Sequence, residues 1–276
     1  MKFANTKFFL CLFLPGMAGA VAVVPYAFST IGVTSLEQPP LPLENLVTIQ
    51  ILMSALVLAA AIWIGRKVSR RVGLGAPYVE RLCGVSSPSS LYPQTAPFRT
   101  SREVFRSFLF TVAGSVFLGA GVVALAVLLD FVIFGNAFGA SLSRGVTPVW
   151  QRSLAVLYGG IDEEILMRYF VLSTVAWVLH RAEKRTEGGL SAFGRWTSIV
   201  VTALIFGVGH LPFAAEIAVL DWRVIARVLL LNGAAATVFG WIYWRRGLEA
   251  AVVAHATSDA LLLVALPWAI GRMVAA

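Results

Sequence analysis

The chain has 276 residues, of which 58% are hydrophobic and only 13% are charged. A soluble globular domain is about 45–50% apolar and about a quarter charged, so this composition excludes a soluble domain and a disordered chain alike. Two cysteines, Cys11 and Cys83, are too few for a disulfide scaffold. The net charge of +8 is compatible with binding to nucleic acid or to a membrane surface, and the positions of the basic residues distinguish the two.

Seven segments are each long and apolar enough to form a transmembrane helix, which needs about 20 residues. They are Phe8–Val33, Leu46–Gly65, Ser107–Phe134, Trp150–His180, Trp196–Leu220, Val224–Trp244 and Leu248–Ile270. The sequence therefore predicts an all-α integral membrane protein, a bundle of about seven transmembrane helices. The first segment contains Ala-x-Ala-like triplets, so a cleaved signal peptide is the alternative to an uncleaved first helix. Cleavage would leave six spans.

The basic residues orient the bundle. With a cytoplasmic N-terminus, 16 of the 22 Lys and Arg residues lie on the cytoplasmic side, five lie on the outer side and Arg168 lies within a span. This asymmetry follows the positive-inside rule, and it explains the net charge without nucleic acid. No basic patch is interleaved with stacking aromatic residues, as nucleic-acid binding would require. We therefore expect a multi-pass membrane protein with a cytoplasmic N-terminus and with the lipid bilayer as its main partner. Because no eukaryotic sorting signal is evident, we expect the membrane to be a bacterial cytoplasmic membrane.

Ionisable residues concentrate in three of the predicted spans. Such residues are costly in a bilayer and usually face a cavity with a function. The set comprises Asp162, Glu163, Glu164 and Arg168 in the fourth span, His210 in the fifth, and His255 and Asp259 in the seventh. Glu163 lies eleven residues from Arg152, and His255 lies nine residues from Arg246 at the opposite surface. These separations are roughly 16 and 14 Å along a helix, so both residues lie near the centre of a roughly 30 Å core. The spacing predicts a polar cavity lined by helices four, five and seven.

The two adjacent glutamates are expected to differ in role. Glu164 precedes Arg168 by four residues, the favourable spacing for an ion pair on one α-helical face. Glu163 is five residues from Arg168, roughly 140° around an α-helix. The sequence therefore predicts a structural pair of Glu164 and Arg168, and leaves Glu163 free to face the cavity as a general base.

Other ionisable residues have structural interpretations. Asp130 and Glu216 are expected at membrane interfaces or in loops, and His180 is expected to cap a helix at the cytoplasmic surface. Asp162 is a weaker candidate for a third acid of the site, because it lies 100° from Glu163 on an α-helix.

Three motifs resemble those of the CPBP intramembrane proteases, the CAAX prenyl endopeptidase and bacteriocin-processing (Abi-type) family. Glu163-Glu164-Ile-Leu-Met-Arg168 fits its Glu-Glu-x-x-x-Arg motif, Phe206-Gly-Val-Gly-His210 fits Phe-x-x-x-His, and His255-Ala-Thr-Ser-Asp259 fits His-x-x-x-Asn/Asp. The motifs occur in the family's order on three separate spans. The resemblance implies a protease core over residues 150–276, preceded by residues 1–149 with transmembrane helices, a long cytoplasmic loop and no recognised motif.

The resemblance implies roles for these residues. Glu163 would activate a water for attack on a peptide carbonyl, with His210 holding that water. His255 and Asp259 would stabilise the oxyanion or orient the site. Glu164, Arg168 and Phe206 would support the site. Because Asp259 stands where some members have Asn, it must be protonated, paired with His255, or only orienting. Glu163, His210 and His255 could also supply three ligands to a divalent metal such as zinc, so the resemblance leaves both metal-dependent and glutamate-dependent hydrolysis open.

The predicted activity is an intramembrane endopeptidase that hydrolyses a peptide bond of a membrane-associated protein or peptide. One alternative is a proton-coupled transporter, for which the buried carboxylates and histidines would be relay groups; no inverted repeat supports it. The other alternative is a non-catalytic scaffold or immunity protein of the same fold. Rhomboid-like serine chemistry is disfavoured, because Ser141 lies outside any long apolar span. The substrate and the oligomeric state cannot be predicted from the sequence.

Overall fold

The computed structural model describes residues 2–30, 41–85, 101–135, 147–183 and 189–275, and within these ranges all the regular elements are helices. Ser141, Arg144 and the Ser/Pro-rich stretch of the long loop lie outside the described residues. In chain order the helices are α1 (Lys2–Ala22), α2 (Val24–Thr30), α3 (Leu43–Ser69), α4 (Pro77–Leu82), α5 (Ser101–Phe134), α6 (Val149–Leu157), π1 (Tyr158–Glu163), π2 (Ile165–Leu172), α7 (Ser173–Glu183), α8 (Ala192–Gly209), α9 (Leu211–Ile217), α10 (Trp222–Arg246), α11 (Leu248–Asp259), π3 (Ala260–Ala265) and α12 (Leu266–Ala275).

Six helices of the described chain are long and apolar enough to cross a membrane. They are Phe3–Thr30, Leu43–Ser69, Arg102–Phe134, Ala192–Ile217, Trp222–Arg246 and Leu248–Ile270. The predicted all-α bundle of about seven helices is thereby confirmed. The remaining predicted span, Trp150–His180, lies within an unbroken helical run over residues 149–183, which is shared between α6, π1, π2 and α7.

The π-helical segments distinguish this central run from an ordinary α-helix. A π-helix has i→i+5 hydrogen bonds. Such segments are rare in proteins, and those that occur are often at functional sites. Here π1 and π2 occupy the middle of the run: π1 carries Asp162 and Glu163, π2 carries Arg168, and Glu164 is the residue between them. The 100° per residue used to place these side chains from the sequence therefore does not apply to them.

The helix ends that carry most of the basic residues lie together at one end of the bundle. Arg66 Nη2 at the end of α3 donates to Asn5 Oδ1 of α1, at 2.8 Å. The Leu248 amide at the start of α11 donates to the Gly75 carbonyl, at 3.0 Å. Tyr78 of α4 shares hydrogen bonds of 3.0 and 2.9 Å with Ser107 and Thr111 near the start of α5. We call this the basic end; its described residues are Lys2, Lys7, Arg66, Lys67, Arg70, Arg71, Arg81, Arg102, Arg106, Arg181, Arg195, Arg245 and Arg246.

The segment between α3 and α5 packs into the basic end instead of extending into solvent. Val72, Leu74 and Ala76 are buried, and Leu248 is buried beside them. The Val79 amide donates to Glu249 Oε1 at 2.8 Å, which ties α4 to α11. The core extends from here through Tyr169, Leu172, Ile242 and Tyr243 towards the middle of the bundle.

Candidate active site

One carboxylate links the first and third motifs. Glu164 Oε1 lies 2.9 Å from Arg168 Nη1 and 2.7 Å from His255 Nδ1, and all three side chains are buried. The predicted ion pair between Glu164 and Arg168 is present. Because a carboxylate paired with a guanidinium accepts hydrogen bonds, His255 donates its Nδ1–H to Glu164. This bond fixes the imidazole so that its Nε2 points away from Glu164.

The guanidinium of Arg168 lies between two aromatic rings. Its Cζ is 5.0 Å from the centroid of Phe206 and 5.3 Å from that of Phe239, within cation–π range. Arg168 Nη2 also approaches the Ala236 carbonyl, at 3.4 Å. The charge is therefore held by one carboxylate and two ring faces, which keeps π2 packed against α8 and α10.

The Nε2 edge of His255 faces two further carboxylates. Glu163 Oε2 lies 3.8 Å from Nε2, and Asp259 Oδ1 lies 3.6 Å from the same atom. Both separations exceed a direct hydrogen bond. The ring of His255 stacks on Phe239 with centroids 4.6 Å apart, which restricts its rotation. The first and third motifs thus meet at one imidazole nitrogen.

His210 lies at the junction between α8 and α9, two residues before Pro212. The helical axis continues through this junction to Ile217, so His210 is inside the span. Its Nδ1 is 2.8 Å from the Phe206 carbonyl oxygen, and a carbonyl can only accept, so Nδ1 carries the proton. In the neutral imidazole Nε2 is then an acceptor. The ring also packs on Phe206, with centroids 4.4 Å apart.

These side chains surround one cavity of about 520 Å³. The lining includes Tyr158, Glu163, Phe206, His210, His255 and Asp259. The predicted cavity is therefore present, but it is wider and more apolar than the sequence indicated. Residues of α2, α3, α5 and α10 also contribute to its wall, in addition to the three predicted helices.

Two consecutive glycines of π1 allow α11 to approach the site closely. A methyl group added at Gly159 would overlap Asp259 Oδ2 and would lie 3.6 Å from His255 Nε2. A methyl group at Gly160 would lie 2.7 Å from Ala256 Cβ. The glycines therefore set the distance between Glu163 on π1 and the His255–Asp259 motif on α11.

Two further acidic residues of the spans, Asp130 and Asp162, are buried outside the cavity lining. Asp130, four residues before the end of α5, is buried and pairs with Arg227 of α10. Arg227 lines the cavity. The presence of an acid, Asp130, in one span and a base, Arg227, in another is the only sequence signal for this pair. Their separation along the chain does not indicate that the two side chains are in contact. Asp162 packs against Gly19 of α1, and its weak candidacy as a third acid finds no support in the cavity lining.

Phe239 and Tyr158 are site residues that the sequence did not single out. Phe239 stacks on His255, and Tyr158 forms part of the cavity wall beside Gly159. An aromatic residue in an apolar span carries no signal that separates a site residue from a core residue, so neither could be identified from composition or spacing.

The predicted metal ligands do not form a ligand set. In the described part of the chain, no group of three or more His, Cys, Asp or Glu side chains is arranged to hold a metal ion. His255 Nδ1 is bound to Glu164, so only its Nε2 could reach a metal ion, and Nε2 lies 3.8 Å from Glu163 Oε2. Two nitrogen or oxygen ligands of one tetrahedral zinc ion are roughly 3.4 Å apart.

Residues 145–261 match the family model described as Type II CAAX prenyl endopeptidase Rce1-like. The matched segment contains all three motifs, so the resemblance predicted from them is confirmed. No curated protein and no solved structure matches the chain. Together with the six apolar helices, the match identifies a multi-pass integral membrane protein similar to CAAX-type proteases.

Proposed function

We propose, from the match of residues 145–261 to this protease family and from the geometry of the site, that the protein is an intramembrane endopeptidase. The observation that carries the proposal is that the carboxylates of Glu163 and Asp259 both approach Nε2 of His255. The three residues line one cavity, which His210 also lines. A carboxylate and two imidazoles facing one cavity can hold and activate a water.

Glu163 is the general base of this proposal. Its carboxylate removes a proton from a water in the cavity, and the water oxygen attacks the carbonyl carbon of the scissile peptide bond. His210 accepts the second hydrogen bond of that water at Nε2, since its Nδ1–H is bound to the Phe206 carbonyl. The proton held by Glu163 then passes to the leaving amine as the C–N bond breaks, which balances the hydrolysis.

His255 is the electrophilic group of the proposal. When protonated at both nitrogens, it donates Nε2–H to the oxyanion of the tetrahedral intermediate, while Nδ1–H remains on Glu164. Preorganised donors of this kind contribute about 10²–10³ in rate. Asp259, at 3.6 Å from Nε2, orients that edge of the ring. An ionised Asp259 would repel the oxyanion directly, so we assign it to His255 and not to the substrate.

Glu164, Arg168 and Phe206 are positioning residues. Glu164 holds His255, Arg168 neutralises Glu164, and Phe206 packs against both Arg168 and His210. Their effect on catalysis is therefore indirect, through the orientation of the two imidazoles.

The substrate that fits this site is a membrane-associated protein or peptide, cleaved inside the bilayer of a bacterial cytoplasmic membrane. The test compares protein N-termini in membrane fractions of cells that carry the wild-type protein, Glu163→Gln or Glu44→Gln. Glu44 is an exposed glutamate outside the cavity, which makes it the matched control. We expect neo-N-termini that are present with the wild type and Glu44→Gln and are lost with Glu163→Gln. Identical sets of N-termini in all three strains would contradict the proposal.

A further inference from the structure

The direction in which the cavity opens bears on what can enter it. Among the lining residues of α10 and α11, Phe239 and His255 lie nearest the basic end, each seven residues from the end of its helix at Arg246 or Leu248. From there the lining runs away from the basic end along every wall. It includes Gln50 near the start of α3, Val127 near the end of α5, and Arg227 near the start of α10.

The side chains become more exposed in the same direction. Glu164 is fully buried, whereas Glu163, its neighbour on the cavity side, is 21% exposed. His255 is 7% exposed and Asp259, one helical turn further from the basic end, is 19% exposed. Arg227, near the far end of the cavity, is 24% exposed. The protein therefore covers the site less towards the end of the bundle opposite the basic residues.

The basic end itself is closed over the site. Ile242 and Tyr243 of α10, Ala250 and Ala251 of α11 are fully buried between the cavity and this end. Beyond them the segment between α3 and α5 packs its own buried side chains against Leu248. No described residue of this segment lines the cavity.

The distribution of basic residues predicts which end of the bundle lies on which side of the membrane. The described part of the basic end holds thirteen Lys and Arg residues, and the positive-inside rule makes such an end cytoplasmic. The opposite end, where the cavity is most exposed, then faces the outside of the cytoplasmic membrane.

We infer that the cavity is entered from the outer side, so that the substrate is a stretch of polypeptide at the outer leaflet and not a cytoplasmic C-terminus. That the entering molecule is a substrate rests on the proposed function, whereas the direction of access does not. A volume of about 520 Å³ is within the roughly 300–1,000 Å³ of ligand sites. It accommodates a short extended segment and excludes a folded domain. The mostly apolar lining favours apolar side chains on that segment.

One helix supplies three matched positions for a test. On α10, Arg223 lies at the outer end, Asn232 lines the cavity and Arg246 lies at the basic end. Arg223 and Arg246 are both exposed. Each is replaced by Cys in the full chain, and spheroplasts and inverted membrane vesicles are treated with a membrane-impermeant maleimide. The wild-type chain, with only Cys11 and Cys83, gives the blank.

We expect Arg223→Cys and Asn232→Cys to be labelled in spheroplasts and Arg246→Cys only in inverted vesicles. Labelling of Asn232→Cys only in inverted vesicles, together with Arg246→Cys, would overturn the inference. Protection of Asn232→Cys from both sides would overturn it as well. If Asn232→Cys is not retained in the membrane, Leu231→Cys, which also lines the cavity, replaces it. Labelling does not depend on peptidase activity, so failure of the proposed function would leave this result unchanged.

Discussion

Glu164 and Arg168 show how a charged pair can be accommodated in the middle of an apolar bundle. Breaking a buried pair by removing one partner costs about 3–5 kcal/mol, because the remaining charge is uncompensated. We expect Glu164→Ala and Arg168→Ala each to lower the thermal unfolding midpoint of the protein in detergent. Glu163→Ala should leave it near the wild-type value, because Glu163 is partly exposed and lies 3.8 Å from its nearest charged partner.

The measurement is thermal unfolding of the three purified variants under identical conditions. A double variant, Glu164→Gln with Arg168→Met, removes both charges and should recover part of the loss of either single alanine variant. Equal destabilisation by Glu163→Ala and Arg168→Ala would mean that the two adjacent glutamates do not divide the structural and catalytic roles as proposed.

Cys83 provides a pH-dependent prediction outside the membrane spans. Burial and the thiol of Cys11, at an Sγ–Sγ distance of 3.5 Å, raise the pKa of Cys83 from 9.0 to about 11. Only the thiolate reacts with alkylating agents, so its fraction at neutral pH is about a hundredfold smaller than for an ordinary thiol. Alkylation of Cys83 by iodoacetamide, followed by mass spectrometry, should be slow at pH 7 and should still be rising above pH 9.

Replacement of the neighbouring thiol supplies the control for that prediction. Cys11→Ala removes one of the causes that raise the pKa of Cys83, so it should speed alkylation at a given pH. A wild-type rate that already levels off near pH 9 would contradict the raised pKa.

At the scale of elements, the sequence predicts the helices better than it predicts their contacts. Apolar runs of about 20 residues locate the spans, since the bilayer thickness fixes the length of helix needed. The π-helical segments could not be predicted, because their hydrogen-bonding pattern depends on packing and not on any residue type in the run. The choice of Glu164 as the partner of Arg168 was nevertheless right, since the spacing of four residues still brings them into contact.

The glycines of π1 yield a prediction about helix packing. We expect Gly160→Ala to destabilise the protein by about 1–3 kcal/mol, because its methyl group would press on Ala256 and overpacking costs this much. Gly159→Ala should mainly reduce activity, because its methyl group would displace the Asp259 carboxylate. The measurements are the thermal unfolding midpoint and the cleavage rate.

Gly121→Ala on α5 is the matched control for these two variants. A methyl group at Gly121 would meet no atom within 4 Å among the described residues. It should leave both stability and activity close to wild type. Unfolding midpoints that are equal for Gly121→Ala and Gly160→Ala would show that the close approach of π1 and α11 is not required.

For the whole molecule, composition and charge predict the membrane environment and the orientation, whereas the shape of the cavity needs the fold. The expected depth of Glu163 and His255 in the bilayer follows from counting residues inward from Arg152 and from Arg246. That Asp130 and Arg227 meet, or that α3 and α5 contribute to the wall, depends on which helices are neighbours in the bundle. Neither a hydropathy pattern nor a short motif encodes that arrangement.

The central claim is that the Glu163 carboxylate activates the hydrolytic water. Its most direct test is the rate at which purified protein in liposomes cleaves a peptide that spans a cleavage site found in cells, for the wild type, Glu163→Gln and Glu44→Gln. General-base catalysis contributes about 10²–10⁴ in rate, so the cleavage rate of Glu163→Gln should fall at least about a hundredfold. Its unfolding midpoint should be unchanged, and Glu44→Gln should cleave at the wild-type rate. A folded Glu163→Gln variant that cleaves at the wild-type rate would contradict the account.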